Sequence, residues 1–302
     1  MSLTALALQV LDLSLVGLFP LLIVIVLLAF WRWLPRQLVP WLWLFAGLRL
    51  LAPLHIQSAA SRVPAGLVDL VQRVYAAPPA PPGPAAEPGV RFAYDLAMLL
   101  VDNAALLSRI WLAGFAAMLL YGVGSYLLLL RRMRCATPAE YGVYECDACA
   151  SPFILGFLRP RVILPYGVEV PERELILHHE RRHIRQLDHL KKPLAWFILS
   201  LHWFNPLVWI AFSGFCYDME VACDDFCIQD LSPNERKTYA ETLLRFSSQM
   251  TPLASPVAFG EVEIKDRIHR VLSYGEPEIY LVVLGFCCIA YLAAALLTNP
   301  PA

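Results

Sequence analysis

The sequence of 302 residues is short of charge. Charged side chains make up 16% of it and hydrophobic side chains 58%, against about 25% and about 45–50% in typical soluble domains. So few charges do not cover a water-exposed surface, and part of the chain should therefore face lipid. The net charge of -1 gives no general attraction to nucleic acid, so we expect no direct nucleic-acid binding. Eight cysteines are too few for a secreted scaffold held together by disulfide bonds.

Four apolar segments are predicted to span the membrane. At a rise of about 1.5 Å per residue, a helix of about 20 apolar residues crosses the hydrocarbon core of a bilayer. Residues 1–54 hold the first two spans, at 13–31 and 38–54, and the other two are 110–130 and 279–297. A cleaved signal peptide is the alternative for the first segment, but the twelve residues before it contain no Lys or Arg.

The basic residues orient these spans. Arginines follow the first and the third span directly, and all four lysines lie within residues 131–278. Because loops rich in Lys and Arg stay on the cytoplasmic side, residues 131–278 are predicted to be cytoplasmic. Both chain termini, including the short tail 298–302, are predicted to lie outside.

Residues 55–109 form the predicted outer loop, and proline dominates its centre. Six prolines lie between residues 76 and 89, and such a run favours an extended, polyproline-like conformation. We therefore expect this part of the loop to be a linker without a packed core.

The inner segment changes from strand-like to helical sequence. Phe153–Leu155 and Arg161–Leu164 are short β-type runs on either side of a turn and predict a hairpin. From Pro171 the pattern is helical, with a proline at the start and acidic residues in the first turn.

This helix carries the sequence His-Glu-Arg-Arg-His at residues 179–183. Histidines four residues apart lie on one helical face, close enough to bind a single Zn²⁺. Between them, Glu180 projects beside such a metal, where it can take a proton from a bound water molecule. The alternative is a solvated helix face that happens to hold His179 and His183. The neighbouring His178 is one position too early to join the pair and is expected to pack or to support the site.

A catalytic zinc of this kind needs a third protein ligand, and two residues compete. His189 has the spacing of another zinc-binding pattern, but Gln186 stands where that pattern requires glycine. Glu220 begins a second pair spaced four apart, and its partner Asp224 could accept the free ring N–H of a ligand histidine. We therefore favour Glu220 as the ligand and place Asp224 behind the histidines.

Residues 195–212 are apolar enough for a fifth span, but two observations argue against one. Asn205-Pro206 in its middle is a turn signal. A crossing here would also put His183 and Glu220 on opposite sides of the membrane, where they could not share a metal. We predict a hairpin of two short helices that enters the membrane face and returns.

Four segments in the same order resemble the BlaR/MecR-type antirepressor family of membrane zinc peptidases, whose members signal β-lactam exposure. They are residues 151–165, the His-Glu-x-x-His motif, His-Trp-Phe-Asn-Pro-Leu-Val-Trp at 202–209, and the Glu-x-x-x-Asp pair at 220–224. The resemblance covers the predicted spans and the whole inner domain.

The resemblance implies a multi-pass α-helical membrane protein of the bacterial cytoplasmic membrane, with an inserted cytoplasmic α+β domain of gluzincin-like fold. It implies one Zn²⁺ per chain, held by His179, His183 and Glu220, and Glu180 as the base that assists attack by a zinc-bound water. The implied activity is that of a zinc endopeptidase. The implied substrate is a cytoplasmic protein, such as a repressor of the winged-helix kind; self-cleavage and a homo-oligomer stay open. Sensor members of the family carry an extracellular penicillin-binding domain after the last span, whereas this sequence ends at Ala302, so we expect the signal to arrive by another route.

Two functions from other classes compete with a peptidase. A non-catalytic signalling scaffold with a structural zinc site would have no use for the general base Glu180. A transporter would need a substrate path, and the spans carry no paired intramembrane charges that would mark one.

Several cysteines and two polar residues have open roles. Cys146 and Cys149 form a lone Cys-x-x-Cys, and Cys223 and Cys227 could complete a zinc ribbon with it. In a reducing cytoplasm, however, free thiols packed as small apolar residues are the default. The two polar residues are Tyr239 and Arg267. Each could stabilise an oxyanion or have a structural role.

Overall fold

The computed structural model describes residues 2–30, 39–52, 61, 70–77, 80–83, 87–247, 264–275 and 279–299. These residues form eleven α-helices and a four-stranded sheet. The helices before the sheet are α1 (Leu3–Phe30), α2 (Val39–Leu51), α3 (Leu70–Ala76), α4 (Pro88–Asp102) and α5 (Ala104–Arg132). The strands are β1 (Thr137–Glu140), β2 (Val143–Glu145), β3 (Phe153–Leu155) and β4 (Arg161–Leu164). The helices after the sheet are α6 (Val170–Arg185), α7 (Asp188–Leu201), α8 (Pro206–Ile228), α9 (Pro233–Ser247), α10 (Ile264–Leu272) and α11 (Ile279–Leu297).

Two helices of the described residues are long and apolar enough to cross a membrane. They are α1, over Leu3–Leu28, and α5 with the turn that follows it, over Ala104–Cys135. α2 has 13 residues, and the apolar part of α11, Tyr280–Leu292, is also shorter than a typical span. The protein is thus mostly helical with two candidate membrane helices, and the two further spans stay a prediction.

α1 begins at Leu3, well before the predicted first span at 13–31, and includes the polar residue Asp12. Asp12 is buried, and its carboxylate accepts hydrogen bonds from the backbone N–H groups of Val71 at 2.6 Å and Gln72 at 3.1 Å. The first N–H groups of a helix have no partner within it, and a negative charge is favourable there. Asp12 is therefore accommodated within α1, and its hydrogen bonds link α1 to the first turn of α3.

The predicted outer loop is more structured than expected. α3 and α4 both lie within residues 55–109, whereas residues 80–83 between them have no regular secondary structure. α4 begins at Pro88, because proline suits the first turn of a helix, where its missing N–H is not needed. The prediction of an extended linker up to residue 89 is therefore wrong at its C-terminal end.

The chain reverses within residues 195–212. α7 and α8 are separated by a short turn, and Asn205 caps α8 with its side chain. The turn contacts two other helices: the Asn205 amide donates to Ser14 Oγ of α1 at 2.8 Å, and Trp111 Nε1 of α5 donates to the Leu201 carbonyl at 2.9 Å. Both helices are longer than the sequence predicted, and α8 runs without a break into the Glu220 motif.

Apolar packing fixes this α7–α8 hairpin among the other apolar helices. Its buried side chains share one core cluster with those of α1, α2 and α11. The cluster contains Leu21, Val24, Val39, Leu42, Trp43, Ala46, Leu50, Trp196, Ile198, Leu199, Val208, Ala211 and Ile289. Because α6 leads directly into α7, the same packing sets where α6 stands relative to α8.

The sheet has the strand order β1-β2-β4-β3. β3 and β4 pair antiparallel, as the sequence predicted, whereas β2 and β4 pair parallel. The turn between β3 and β4 contains Gly156 at a φ of +107°, where a Cβ would lie 2.7 Å from the carbonyl oxygen of Arg159. Only glycine fits such a position without strain. The sheet joins the end of α5 to α6, and β3 forms one of its edges.

Candidate metal centre

The two helices that carry the residue pairs spaced four apart, α6 and α8, face each other. α6 begins with a proline in its first turn and buries one face, which includes His179, Glu180 and His183. α8 is buried almost continuously from Asp218 to Asp224 and lies against α6. The 3.6-residue period puts residues four apart on one face of each helix, so the paired histidines face Glu220.

Three atoms converge between these helices. Nε2 of His179 lies 3.1 Å from Nε2 of His183, and Oε2 of Glu220 lies 3.6 Å and 3.5 Å from these two nitrogens. Ligand bonds of about 2.0–2.1 Å in a tetrahedral zinc site place neighbouring ligand atoms about 3.3 Å apart. The spacing of the three atoms fits such a site.

The His183 ring is oriented by Asp188. Its Nδ1 lies 2.7 Å from Asp188 Oδ2, so Nδ1–H donates to the carboxylate and the lone pair of Nε2 faces the centre. The chain can return Asp188 to this ring because Leu187 adopts a left-handed conformation, with φ of 61°, between α6 and α7. Asp188 was not predicted from the sequence, since a contact across a helix break has no periodic signature.

The His179 ring is oriented through a tyrosine. Its Nδ1 lies 2.8 Å from Tyr239 Oη, which donates to Asp224 Oδ1 at 2.7 Å. The direct distance from His179 Nδ1 to Asp224 Oδ1 is 3.5 Å. The predicted contact between Asp224 and a histidine thus runs mainly through Tyr239. Two nitrogens of Arg267 donate to the Asp224 carboxylate, at 2.6 and 2.8 Å. Tyr239 and Arg267 therefore both lie behind the centre and contact Asp224 there.

Glu220 divides its two oxygens between the centre and Lys192. Oε1 accepts a hydrogen bond from Lys192 Nζ at 3.0 Å, whereas Oε2 faces the histidines and lies 3.4 Å from an Arg267 nitrogen. Burial would raise the pKa of Glu220, but the Lys192 ammonium, the positive charge that His183 can carry and the hydrogen bonds from both histidines lower it well below its usual range. The carboxylate is therefore ionised. Lys192 was also missed by the sequence analysis, because it comes from α7 and meets α8 only in the fold.

These partners direct Nε2 of both histidines and one oxygen of Glu220 to a common point. With Nδ1–H of each histidine donating outward, both Nε2 atoms of the neutral imidazoles have a lone pair for this point, and the third atom is a carboxylate oxygen. A positive charge stabilises three such atoms at 3.1–3.6 Å from one another, and either a proton or a metal ion supplies it. Two imidazoles and one carboxylate are a donor set that Zn²⁺ accepts with a fourth position open, so these residues fit the metal that the sequence implied.

Glu180 lies on the same buried face, and no described residue bonds to its carboxylate. Its side chain is 9% exposed, and in the described part of the chain no hydrogen bond or ion pair holds its carboxylate. A carboxylate beside the histidines and without a structural partner is available to accept a proton.

A cysteine and a histidine are the other candidate ligands. Cys223 has its sulfur within 4.8 Å of ligand atoms of His179 and His183, but the thiol donates to the His179 carbonyl at 3.4 Å. Burial raises the pKa of Cys223 well above its usual range, so the thiol stays protonated and is the weaker ligand. No hydrogen bond or ion pair links His189 to either histidine among the described residues. His178 stacks on Phe226 instead, with ring centroids 6.5 Å apart.

The two cysteine pairs that could have formed a zinc ribbon lie apart in the described structure. Cys146 and Cys149 pack in a core cluster at the end of α5 and the sheet. Cys223 and Cys227 pack in another cluster, with α9 and α10. The alternative of a structural zinc held by both pairs therefore finds no support in their positions.

Apolar helices, a small sheet and a buried histidine pair four residues apart fit the class of membrane metallopeptidases. The sequence profile described as BlaR1 peptidase M56 matches residues 8–271. The chain belongs to this family.

Curated relatives carry names from antibiotic-resistance signalling. The chain is similar to the regulatory protein BlaR1 of Bacillus licheniformis, with 28% identity over 159 residues, which are 50% of this chain and 26% of that protein. It is also similar to the methicillin resistance mecR1 proteins of Staphylococcus aureus and Staphylococcus epidermidis, with 26% identity over 133 residues, 41% of this chain and 23% of those proteins. The matched region is thus about a quarter of the length of these relatives.

Proposed function

We propose that the protein is a membrane zinc endopeptidase with a gluzincin-like inner domain, which cleaves a cytoplasmic protein in a signalling pathway. In this proposal His179, His183 and Glu220 bind one Zn²⁺ and Glu180 is the general base. The observation that carries the proposal is the convergence of three potential ligand atoms at 3.1–3.6 Å on the helix face that also carries Glu180, whose carboxylate has no hydrogen-bond or ion-pair partner among the described residues.

The chain's own residues divide the work as follows. Zinc, when bound, polarises the scissile carbonyl and makes a water molecule acidic. Glu180 accepts the proton of the attacking water and later passes it to the leaving amine. Asp188 and Tyr239 keep the two imidazoles in the tautomer that presents Nε2, and Lys192 keeps Glu220 ionised and oriented.

A non-catalytic scaffold with a structural zinc is the competing proposal. A structural site closes all four positions around the metal with protein ligands. Among the described residues, the candidate for a fourth ligand is Cys223, whose sulfur lies within 4.8 Å of the ligand atoms of both histidines. Its thiol, however, donates a hydrogen bond to the His179 carbonyl. Three ligands, an open position and an unengaged Glu180 favour the peptidase.

The proposed substrate is a cytoplasmic transcriptional repressor. The relatives' names, a regulatory protein and methicillin resistance proteins, support a signalling role, and the basic residues at the inner ends of the predicted spans support a cytoplasmic site. β3 is an edge of the sheet and lies next to α6. An extended substrate segment could pair with β3 through its backbone, and side-chain pockets would then provide selectivity.

The experiment that tests this function compares wild type with Glu180→Gln. New N-termini are labelled and identified in the cytoplasmic fraction of cells that produce each protein, and zinc is measured in both purified proteins. We expect about one zinc per chain in both, and a cleaved cytoplasmic protein only in wild type, because the base is not a ligand. Glu174→Gln, an exposed position on the same helix, is the matched control and should cleave like wild type. Identical cleavage products in all three strains, or products only from extracytoplasmic proteins, would reject the proposed function.

A further inference from the structure

Two cysteines meet where α5 joins the sheet. Cys135 ends the 3₁₀ turn Met133–Cys135 that follows α5, and Cys146 follows β2 directly. Their Sγ atoms lie 2.8 Å apart, compared with about 2.0 Å in a disulfide bond. The chain brings these sulfurs together across ten intervening residues, although the turn and the strand have no sequence periodicity in common.

The two thiols differ in access. Cys135 is exposed, whereas Cys146 is buried in the cluster formed by Leu129, Met133, Cys149, Leu155 and Ile163. An exposed thiol next to a buried one is the arrangement in which a first cysteine reacts with an oxidant and a second resolves the product.

Cys149 is not part of this pair. Its thiol donates to the Ser151 carbonyl at 2.7 Å, and burial raises the pKa of Cys149 to about 12. It is buried, and the sulfur contact of Cys146 is with Cys135. The Cys-x-x-Cys spacing, which sequence alone singles out, is thus not the pair that the fold brings together.

We propose that Cys135 and Cys146 form a redox modification site, at which a hydroperoxide converts the two thiols into a disulfide. This site is independent of the proposed zinc chemistry. In the first step the Cys135 sulfur attacks the peroxide, an S–O bond forms, the O–O bond breaks, and a molecule of water (or of alcohol, from an organic peroxide) leaves. In the second step Cys146 attacks the sulfenic acid, the S–S bond forms, the S–O bond breaks, and water leaves. The two thiols lose two electrons, which the peroxide gains.

The bond would fasten the candidate membrane helix α5 to the sheet. Cys146 is anchored in the sheet by its N–H, which donates to the Leu164 carbonyl of β4 at 3.0 Å. β4 pairs with β3, and both contact α6, which carries Glu180. In a reducing cytoplasm such a disulfide is transient and suits a redox signal more than permanent stability.

The test is a disulfide map of the full-length protein in detergent, reduced and then treated with hydrogen peroxide. Free thiols are alkylated before digestion. Cleavage after Glu140 and Glu145 releases Cys135 from the other two cysteines, and cleavage before Asp147 separates Cys146 from Cys149. We expect the loss of two of the eight alkylatable thiols per chain and a linked product that joins Cys135 to Cys146.

Two variants make the result decisive. Cys135→Ser should abolish the linked product and leave Cys146 free, and its exposed position should leave the fold intact. Cys149→Ser should keep the link. The proposal is overturned if peroxide joins Cys146 to Cys149, if it links Cys135 between two chains, or if Cys135 ends as a sulfinic acid while Cys146 stays free.

Discussion

The Lys192 ammonium donates to Glu220 and is not a proposed metal ligand. Its replacement therefore tests how Glu220 is oriented without removing a ligand. In Lys192→Met the Oε1 atom of Glu220 loses its 3.0 Å partner, and the carboxylate becomes free to rotate away from the histidines. Loss of such outer contacts typically costs about 10–100-fold in metal affinity. We therefore expect zinc affinity to fall at least about 10-fold, as measured by competition with a chromogenic chelator.

Lys237→Met is the matched control for this measurement. Lys237 is an exposed lysine on α9 that only approaches Glu241, at 4.0 Å, and an exposed pair of this kind contributes little. Its zinc affinity should equal that of wild type. Tighter zinc binding in Lys192→Met would mean that the lysine competes with the metal for Glu220 instead of positioning it.

Glu220 is predicted to be the third zinc ligand. Glu220→Ala should reduce bound zinc from about one per chain to a small fraction, since two remaining ligands rarely hold the metal. Cys223→Ala should keep the zinc, because the Cys223 thiol donates to a carbonyl. His189→Ala should keep it too, because His189 is not in the group of candidate ligands found among the described residues. Metal analysis after dialysis checks this. Zinc retained in Glu220→Ala but lost in Cys223→Ala would transfer the ligand role to the cysteine.

The residues that sequence could predict are those whose relation is local. His179 and His183 are four apart on one helix, as are Glu220 and Asp224, and the 3.6-residue period alone gives each pair a common face. Asp188 lies beyond a left-handed residue, and Lys192 and Tyr239 reach the centre from α7 and α9. Such contacts depend on how helices pack, which a pattern along one chain does not encode.

For helices and strands, too, the features set by local sequence were predictable, and those set by contacts between distant segments were not. The β3–β4 hairpin and the start of α6 were predictable because turn and capping residues act locally. The start of α1 and the helices of the outer loop were not. Asp12 is tolerated inside α1 only because its carboxylate meets the N-terminal N–H groups of α3, a contact between distant segments.

The β3–β4 turn provides a prediction for a single element. Gly156→Ala places a methyl group 2.7 Å from the Arg159 carbonyl oxygen at a φ of +107°, so strain should cost about 1–3 kcal/mol of stability. A lower unfolding temperature in detergent would report it. Gly83→Ala, where nothing lies within 4 Å of the added carbon, is the control and should leave the unfolding temperature unchanged. Equal temperatures for both variants would show that the turn relaxes without cost.

At the scale of the whole molecule, the apolar hairpin sets the depth of the site. The turn between α7 and α8 packs on Ala7 and Val10 near the N-terminal end of α1, and on Trp111 near the start of α5. The histidines lie at the other end of α7, towards the end of α5 that joins the sheet. If α1 and α5 span the bilayer, the hairpin reaches far along them while both of its ends stay on the side of the candidate metal centre.

The orientation of the protein in the membrane is testable with short epitope tags. We expect a tag after Tyr141, a fully exposed residue in the β1–β2 turn, to be protected from antibody in intact spheroplasts and reached only after permeabilisation. The reason is the cluster of three arginines just before the sheet, which positive-inside insertion keeps in the cytoplasm. A tag after Gly83, in the proline-rich part of the outer loop, should be reached in intact spheroplasts. A tag after Leu158, at the exposed tip of the β3–β4 turn, is the second inner position and should behave like the first. If the two inner tags reported opposite sides, the sheet and α6 could not form one domain; if both were reached from outside, the zinc centre would face away from any cytoplasmic repressor.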